Sequence, residues 1–135
     1  MGENELVHAV QEIYGLFGRG DIPTMLGRLT EDVEWRIRAA TAVPYRERCR
    51  GREAVGGWFL KLAATTEIRS FEPRTFLASG DAVVVLGGEA ARARTTGREY
   101  AVDWVHVFRF RGTLVSSFDE FVDGDVLERA FAPDA

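Results

Sequence analysis

The residues best suited to acid/base chemistry lie near the C-terminal end of the chain, in two consecutive segments. His106 lies in the stretch VDWVHVFRF, and Asp119 and Glu120 lie in the stretch SSFDEFVD that follows. Histidine changes its charge near neutral pH, and a carboxylate beside it can orient the ring or share its proton. The combination indicates proton transfer, with His106 and one of the two carboxylates as the candidate pair.

His106 lies within a row of aromatic residues. Trp104, Phe108 and Phe110 occupy alternate positions around it, and in a strand such residues share one face. An imidazole on a buried face costs free energy unless it is hydrogen-bonded. Two interpretations follow, which the sequence leaves open: the histidine transfers protons in a cavity, or it is a core residue paired with a neighbouring carbonyl or carboxylate.

The identity of the carboxylate that faces this histidine depends on how the next strand alternates. Glu120 points inward if Phe118 does, whereas Asp119 points inward if Phe121 does. A β-bulge near Ser116–Ser117 would exchange the two arrangements. We expect the histidine to be coupled to one of these carboxylates.

The elements that must position these side chains begin with helices. Apolar residues at helical spacing predict an amphipathic helix over residues 4–18, and Asp21 is a suitable N-cap for a short second helix ending at Leu29. Residues 33–38 alternate like a half-buried strand. Residues 39–50 are expected to form an arginine-rich loop, with a third helix after it.

From residue 69 onward the apolar period changes from that of a helix to that of a strand. Four strands joined by short turns are predicted, and they are residues 69–78, 82–92, 98–110 and 113–122. Consecutive strands with short turns form an antiparallel meander. The predicted fold class is therefore α+β, with N-terminal helices packed on one face of a curved antiparallel sheet.

Composition restricts the class of protein. The chain has 135 residues, 46% of them hydrophobic, and a net charge of −4, so we expect a single domain over residues 1–135 with no nucleic-acid partner. No long apolar run predicts a membrane span, and the chain start does not resemble a signal peptide. Cys49 is the only cysteine. We therefore expect a cytoplasmic protein without disulfide, metal or cofactor.

Two predicted strands are apolar on both faces, which is unusual for an antiparallel sheet with one face in water. They contain residues 83–86 and the pair Val105 and Val107. Something must cover the second face. We expect a homodimer through the face that carries Val105 and Val107, and the alternative is that the C-terminal segment folds back over it.

Three segments carry a resemblance to a known family: IYGLFGRGDIPTMLGRLTEDVEW, CRGREAVGGWF and TTGREYAVDWVHVFRFRGTLVSSFDEFVD. The chain resembles the SnoaL-like and ketosteroid-isomerase-related branch of the nuclear-transport-factor-2-like (cystatin-like) superfamily. That resemblance implies a cone with an apolar pocket at its open end, and frequent dimerisation. Members include isomerases, polyketide cyclases, epoxide hydrolases and domains without known chemistry, so the fold alone does not determine the function.

The resemblance implies a set of side chains around the pocket. Tyr14 is placed there by its helical spacing and Trp35 by its alternation along the first strand, although plain core packing is the alternative for both. The expected substrate-binding residues are Tyr14, Trp35, Ile37, Trp58, Glu89, Trp104 and Phe108. The arginines of the 46–52 segment could bind an anion at the pocket entrance, but a solvated loop is the simpler interpretation.

Three chemistries of the family can be compared with this chain. Ketosteroid isomerisation fits poorly, because Ile37 stands where the base should be and Tyr14 is displaced by one position. Epoxide hydrolysis would use Glu89 and Glu120, but Gly87 occupies the position of the arginine that should bridge them. SnoaL-like cyclisation, with a histidine and an aspartate on the last two strands, matches best.

By that match, the resemblance implies His106 and Asp119 as the acid/base pair, with Glu120 as the alternative carboxylate. We expect a protein that binds an apolar or aromatic small molecule and acts as a cofactor-free isomerase, cyclase or hydrolase. The alternative is a non-catalytic ligand-binding or carrier domain of the same fold.

Overall fold

The computed structural model describes residues 2–39 and 42–133, which form four helices and six strands. The helices are α1 (Glu3–Gly18), α2 (Ile22–Leu26), α3 (Arg52–Thr65) and α4 (Gly124–Phe131). The strands are β1 (Leu29–Arg38), β2 (Arg48–Arg50), β3 (Thr66–Ser79), β4 (Ala82–Ala93), β5 (Glu99–Arg111) and β6 (Leu114–Val122). The predicted α+β class is confirmed.

The six strands form one curved sheet in the order β2-β1-β6-β5-β4-β3. Strands β3 to β6 are the predicted antiparallel meander. Its turns contain Gly80, Gly97 and Gly112, each at a positive φ that an L side chain rarely adopts. A parallel pairing of β1 with β6 joins the meander to the N-terminal strands, and the local pattern did not indicate it.

Three further details differ from the sequence-based expectations. Helix α2 is shorter than predicted because Leu29 already belongs to β1, where its carbonyl accepts hydrogen bonds from the Arg52 guanidinium. The short strand β2 lies inside the predicted loop and pairs with β1. Helix α4 was not predicted, and Asp123 caps it by accepting from two backbone amides.

The concave side of the sheet carries the core. Helix α1 buries Leu6, Val10 and Ile13 on the face that its periodicity predicted. Helix α3 buries Trp58, whose indole N–H donates to the Tyr45 carbonyl at 2.7 Å. The inward residues of β1 and β5 therefore lie beneath the helices, which separates the candidate acid/base groups from bulk water.

The outer side of the sheet remains partly apolar. Leu77, Leu86 and Phe121 are 55%, 41% and 45% exposed, and Val105 and Val107 are half-buried. The partial exposure of this face agrees with the two-sided apolar pattern of the strands.

The C-terminal helix does not cover this outer face. Phe131 of α4 contacts the rings of Tyr45 and Tyr100, and Tyr100 shares the inward face of β5. Within the described residues, the expectation that the C-terminal segment folds back over the outer face is therefore wrong. No helix among these residues is long and apolar enough to cross a membrane.

A substitution of Trp35 tests how tightly this core is packed. Trp35 is buried, and its ring stacks on Phe118 with 4.0 Å between centroids. Its indole N–H has no hydrogen-bond partner in the described part of the chain. We expect Trp35→Ala to lower the free energy of unfolding by about 3–5 kcal/mol, because a large packed ring is lost. Urea denaturation measures this change.

The control is Trp35→Phe, which keeps an aromatic ring and removes the unpartnered N–H, so its loss should be much smaller. A loss below about 1 kcal/mol for Trp35→Ala would show that the ring lines an empty cavity and adds little to packing.

Candidate functional site

His106 forms a hydrogen bond with each of its ring nitrogens. Its Nδ1 lies 2.7 Å from the Tyr14 hydroxyl of α1, and its Nε2 lies 2.6 Å from Oε2 of Glu120 on β6. The residue is only 3% exposed, and the Trp104 indole stacks on the imidazole with 3.7 Å between ring centroids. Both polar atoms of this histidine in its aromatic row are therefore paired.

The direction of these hydrogen bonds follows from Tyr14. Burial, reinforced by the nearby Glu120 charge, raises the pKa of the Tyr14 hydroxyl far above its usual range, so Tyr14 stays protonated. A protonated phenol has an O–H to donate to Nδ1, and the Glu120 carboxylate can only accept, so Nε2 carries the imidazole proton. His106 therefore donates to Glu120, and the chain of hydrogen bonds runs from Tyr14 through His106 to the carboxylate.

A β-bulge decides which carboxylate takes part. Arg109 pairs with Ser117 and the next residue of β5 pairs with Val115, so Ser116 is left without a partner. The extra residue allows Val115 and Phe118 both to point inward although they are three positions apart. From Phe118 onward the strand alternates, and this places Glu120 inward and directly opposite the histidine.

Asp119 points to the outer side of the sheet, which corrects its assignment as a catalytic candidate. Its two oxygens accept from Nε and Nη2 of Arg36 at 2.8 and 2.9 Å, and Arg38 lies 3.3 Å away. The carboxylate thus belongs to a bidentate ion pair between β1 and β6. These hydrogen bonds lie on the face of the sheet opposite His106.

A pocket opens beside the His106–Glu120 pair, with aromatic walls. Its cavity volume is about 50 Å³, which is room for a few water molecules, so it is narrow. The lining residues are Ile13, Tyr14, Phe17, Met25, Trp35, Tyr45, Trp58, Phe59, Leu62, Ile68, Phe71, Glu89, His106, Phe108, Phe118 and Glu120. Neither lysine nor arginine is among them.

The structure distributes the expected pocket residues between the wall and the layer behind it. Tyr14, Trp35, Trp58, Glu89 and Phe108 line the pocket. The others do not: Ile37 is buried in β1 in register with Glu120, and Trp104 is buried against the imidazole.

Sequence reasoning missed several members of the aromatic wall. Phe59 follows Trp58 in α3, and Phe71 lies opposite Glu89 across the β3–β4 pairing. Phe71 lies in a strand that the sequence predicts. Its inward orientation, however, follows from a register shift between Ile68 and Ser70, which the sequence does not indicate. In the sequence, Phe118 carries a signal only for the orientation of the last strand.

Glu89 is a second carboxyl group in the pocket, and it differs from Glu120. It forms no hydrogen bond with any residue that the structure describes, whereas Glu120 is paired with His106. Burial, together with repulsion by the Glu120 charge, raises the pKa of Glu89 from 4.5 to about 8. At neutral pH Glu89 is therefore mostly protonated, so it is a potential proton donor.

Gly87 explains the missing arginine between the two acids. A Cβ added at this position would lie 2.5 Å from the Trp104 indole and 2.5 Å from the Glu72 carbonyl. Such contacts are not tolerated, so the indole that stacks on His106 excludes any side chain here. The arginine-bridged arrangement of an epoxide hydrolase does not fit this pocket.

The arginine segment lies away from the pocket. Arg48 and Arg50 are exposed on the edge strand β2, and Arg52 donates to the Leu29 carbonyl. In the ranges 2–39 and 42–133, no three His, Cys, Asp or Glu side chains are grouped so as to hold a metal ion.

The raised pKa of Glu89 predicts a pH dependence of stability. Between pH 4.5 and about 8 the folded protein retains a proton that the unfolded chain has lost. The free energy of unfolding should therefore fall as pH rises through this window, by at most about 1.4 kcal/mol per pH unit. Because Glu89 is only partly buried, the observed slope should be smaller than this limit.

Urea denaturation of the wild type and of Glu89→Gln at several pH values isolates this contribution, since all other groups are shared. We expect the amide variant to lose the part of the slope that Glu89 causes. Identical slopes in the two proteins would show that Glu89 is ionised in the folded state at neutral pH.

Comparison with known proteins places this geometry in a family. The model of the SnoaL-like domain family matches residues 10–118. An NTF2-like protein from Burkholderia xenovorans LB400 is 33% identical, with a TM-score of 0.89 over 97% of this chain and 98% of that one. No curated protein matches this chain.

Two further solved structures share the fold. An NTF2-like protein of unknown function from Burkholderia pseudomallei K96243 is 28% identical, with a TM-score of 0.85 over 98% of this chain and 100% of that one. TerC, co-crystallised with polyporic acid, is 21% identical, with a TM-score of 0.83 over 96% of this chain and 99% of that one. The family match spans most of the chain, and the chain belongs to the SnoaL-like domain family.

Proposed function

We propose that this protein binds an apolar or aromatic small molecule and performs cofactor-free acid/base chemistry on it, as an isomerase or a cyclase. The observation that carries the proposal is the hydrogen-bonded chain from Tyr14 through His106 to Glu120 beside an aromatic pocket. A buried histidine paired only for stability needs one partner for each nitrogen. It does not need a second carboxyl group across the same pocket.

Glu120 is the proposed base. The His106 N–H holds one of its oxygens, Oε2, which orients the carboxylate and leaves the other oxygen available to a ligand. In an isomerisation, Glu120 removes a proton from carbon next to a carbonyl group, and the electron pair moves to the carbonyl oxygen. Glu89 then donates its proton to that oxygen, giving an enol. Glu120 next gives its proton to another carbon of the conjugated enol while the enol O–H returns its proton to Glu89, so both glutamates end as they began.

The ligand class has support from the pocket and from a structural neighbour. Aromatic side chains form most of the wall, and such surfaces bind flat apolar molecules. TerC, which has the same fold, was co-crystallised with polyporic acid. Epoxide hydrolysis has less support, because the Trp104 indole occupies the space of the bridging arginine.

A non-catalytic binding domain is the second candidate, and one observation favours it. The cavity volume of about 50 Å³ is small, and a pocket filled largely by its own side chains fits a carrier as well as an enzyme. Exchange of substrate protons with solvent distinguishes the two candidates.

Proton exchange tests the base directly. A panel of enolisable aryl ketones in D₂O is followed by proton NMR for enzyme-dependent loss of the signal next to the carbonyl. We expect Glu120→Gln to slow this exchange by about 100-fold or more, because an amide cannot accept the proton. His106→Gln should slow it less, since the carboxylate remains but loses its orientation.

The matched control is Asp103→Asn, which removes a carboxylate that is exposed on the outer side of β5. It should exchange at the wild-type rate. An unchanged rate in Glu120→Gln would exclude Glu120 as the base, and a wild type that binds the ketones without exchange would establish the carrier instead.

A homodimer is also part of the proposal. The outer sheet face exposes Leu77, Leu86 and Phe121 around the half-buried Val105 and Val107. An apolar patch of this kind is uncommon on a monomer, and a second copy would remove it from water.

Light scattering of the wild type should give about twice the monomer mass of 15.1 kDa. Leu86→Glu should shift the protein toward the monomer, because it places a charge in the proposed interface. Leu60→Glu is the control, since Leu60 is 75% exposed on α3, away from the sheet, and it should leave the mass unchanged. A wild type of monomer mass at micromolar concentration would refute the dimer.

A further inference from the structure

Four arginine side chains line a groove beside strands β1 and β2, away from the aromatic pocket. The groove has a volume of about 230 Å³, and its lining residues are Arg36, Ile37, Arg38, Arg46, Glu47 and Arg48. None of them lines the pocket that contains His106. The sequence left the arginines of this segment open between an anion site and a solvated loop, and their contacts favour the anion site.

Two of these arginines lie directly opposite each other. Arg36 of β1 is in register with Arg48 of β2, so the two side chains are neighbours on one face of the sheet. Like charges at such a cross-strand pair are destabilising. Glu34 provides one carboxylate for both, since its Oε2 accepts from Arg36 Nη1 at 2.9 Å and lies 4.0 Å from Arg48 Nη2.

A second carboxylate is shared in the same way. Asp119 accepts two hydrogen bonds from Arg36, and Nε of Arg38 lies 3.3 Å from one of the same oxygens. Arg38 lies over the Phe121 ring, with 5.4 Å from Cζ to the centroid, and its side chain is 54% exposed. Its two terminal nitrogens have no acceptor in the part of the chain that the structure describes, so they are available to an anion.

The remaining charged residues of the groove leave it positive. Arg46 is exposed, and its side chain has no hydrogen bond or ion pair among the residues that the structure describes. The Glu47 carboxylate is compensated by Lys61 and also accepts from the Cys49 thiol at 3.2 Å. Four arginines therefore face two shared carboxylates, which is an excess of two positive charges in a chain whose net charge is −4.

We propose that this groove binds the dianionic phosphoryl group of a small phosphate monoester. Guanidinium groups match phosphate oxygens in bidentate pairs, and a dianion balances the excess of two positive charges. Arg38, Arg46 and Arg48 provide the unused N–H donors, while Arg36 is already occupied by the two carboxylates. A small ligand is favoured over an anionic membrane, because the rest of the chain is strongly negative and would be repelled by it. The site is independent of the proposed acid/base function.

Methyl phosphate and methyl sulfate test the proposal, because they have nearly the same shape and differ in charge at pH about 7.5, where the phosphate ester is largely a dianion. Binding is measured by NMR from shifts of the arginine Nε–H signals at low ionic strength. Methyl phosphate should bind at least about fivefold more tightly than methyl sulfate, and added salt should weaken its binding.

Substitutions identify the arginines that bind the anion. Arg46→Gln combined with Arg48→Gln removes two free guanidinium groups and leaves the ion pair of Arg36 with Asp119 intact, so methyl phosphate should bind at least about tenfold more weakly. Arg50→Gln is the matched control, since Arg50 is exposed on the same strand as Arg48 but does not line the groove. It should change the affinity by less than about twofold.

Other outcomes overturn the proposal in distinct ways. Equal binding of the two esters, or equal losses in the control and the double variant, would show only unspecific attraction to a positive surface. Tighter binding to phosphatidate vesicles than to methyl phosphate would identify a membrane as the source of the phosphoryl group.

The absence of any shift at about 20 mM methyl phosphate would establish a solvated segment. If the double variant then also changed from dimer to monomer in light scattering, the arginines would belong to carboxylates of a second copy. None of these results bears on the proton-exchange test of the pocket, so the two proposals fail separately.

Discussion

The pairing of both imidazole nitrogens of His106 is the interaction on which the rest of the site depends. An imidazole that is 3% exposed among aromatic rings would be costly if either nitrogen lacked a partner. Tyr14 and Glu120 meet that requirement from opposite sides. Helix α1 and strand β6 must therefore hold fixed positions relative to β5, and the pocket lies between them.

The two pocket carboxyls differ because only one of them is paired. Glu120 receives the His106 N–H, whereas Glu89 has no hydrogen-bond donor or cation beside it among residues 2–39 and 42–133. Burial and the neighbouring charge then raise the pKa of Glu89 to about 8. Two chemically identical side chains thus have different surroundings, and this difference is the basis of the roles that we propose for them in acid/base chemistry.

The ion pair between β1 and β6 lies on the outer side of the sheet, away from this site. Asp119 neighbours Glu120 in sequence, yet its bidentate pair with Arg36 joins β6 to β1 on the opposite face. Trp104 has a comparable supporting role on the inner face, because it stacks on His106 and also fills the space above Gly87. A substitution of a residue behind the pocket wall, such as Trp104, can therefore alter the site although that residue does not line the pocket.

The sequence by itself determined the fold class, helix α1, the meander and the inward position of His106, because apolar periodicity and turn glycines are local properties of the chain. It did not reveal the parallel pairing of β1 with β6, which has no local signal. The prediction also missed the short helix α4, although Asp123 is a suitable N-cap for it. The choice between Asp119 and Glu120 rested on the bulge at Ser116, which the sequence allowed without requiring. The Tyr14 contact and the isolation of Glu89 were decided only by tertiary structure, since each depends on which side chains distant elements bring within hydrogen-bond distance.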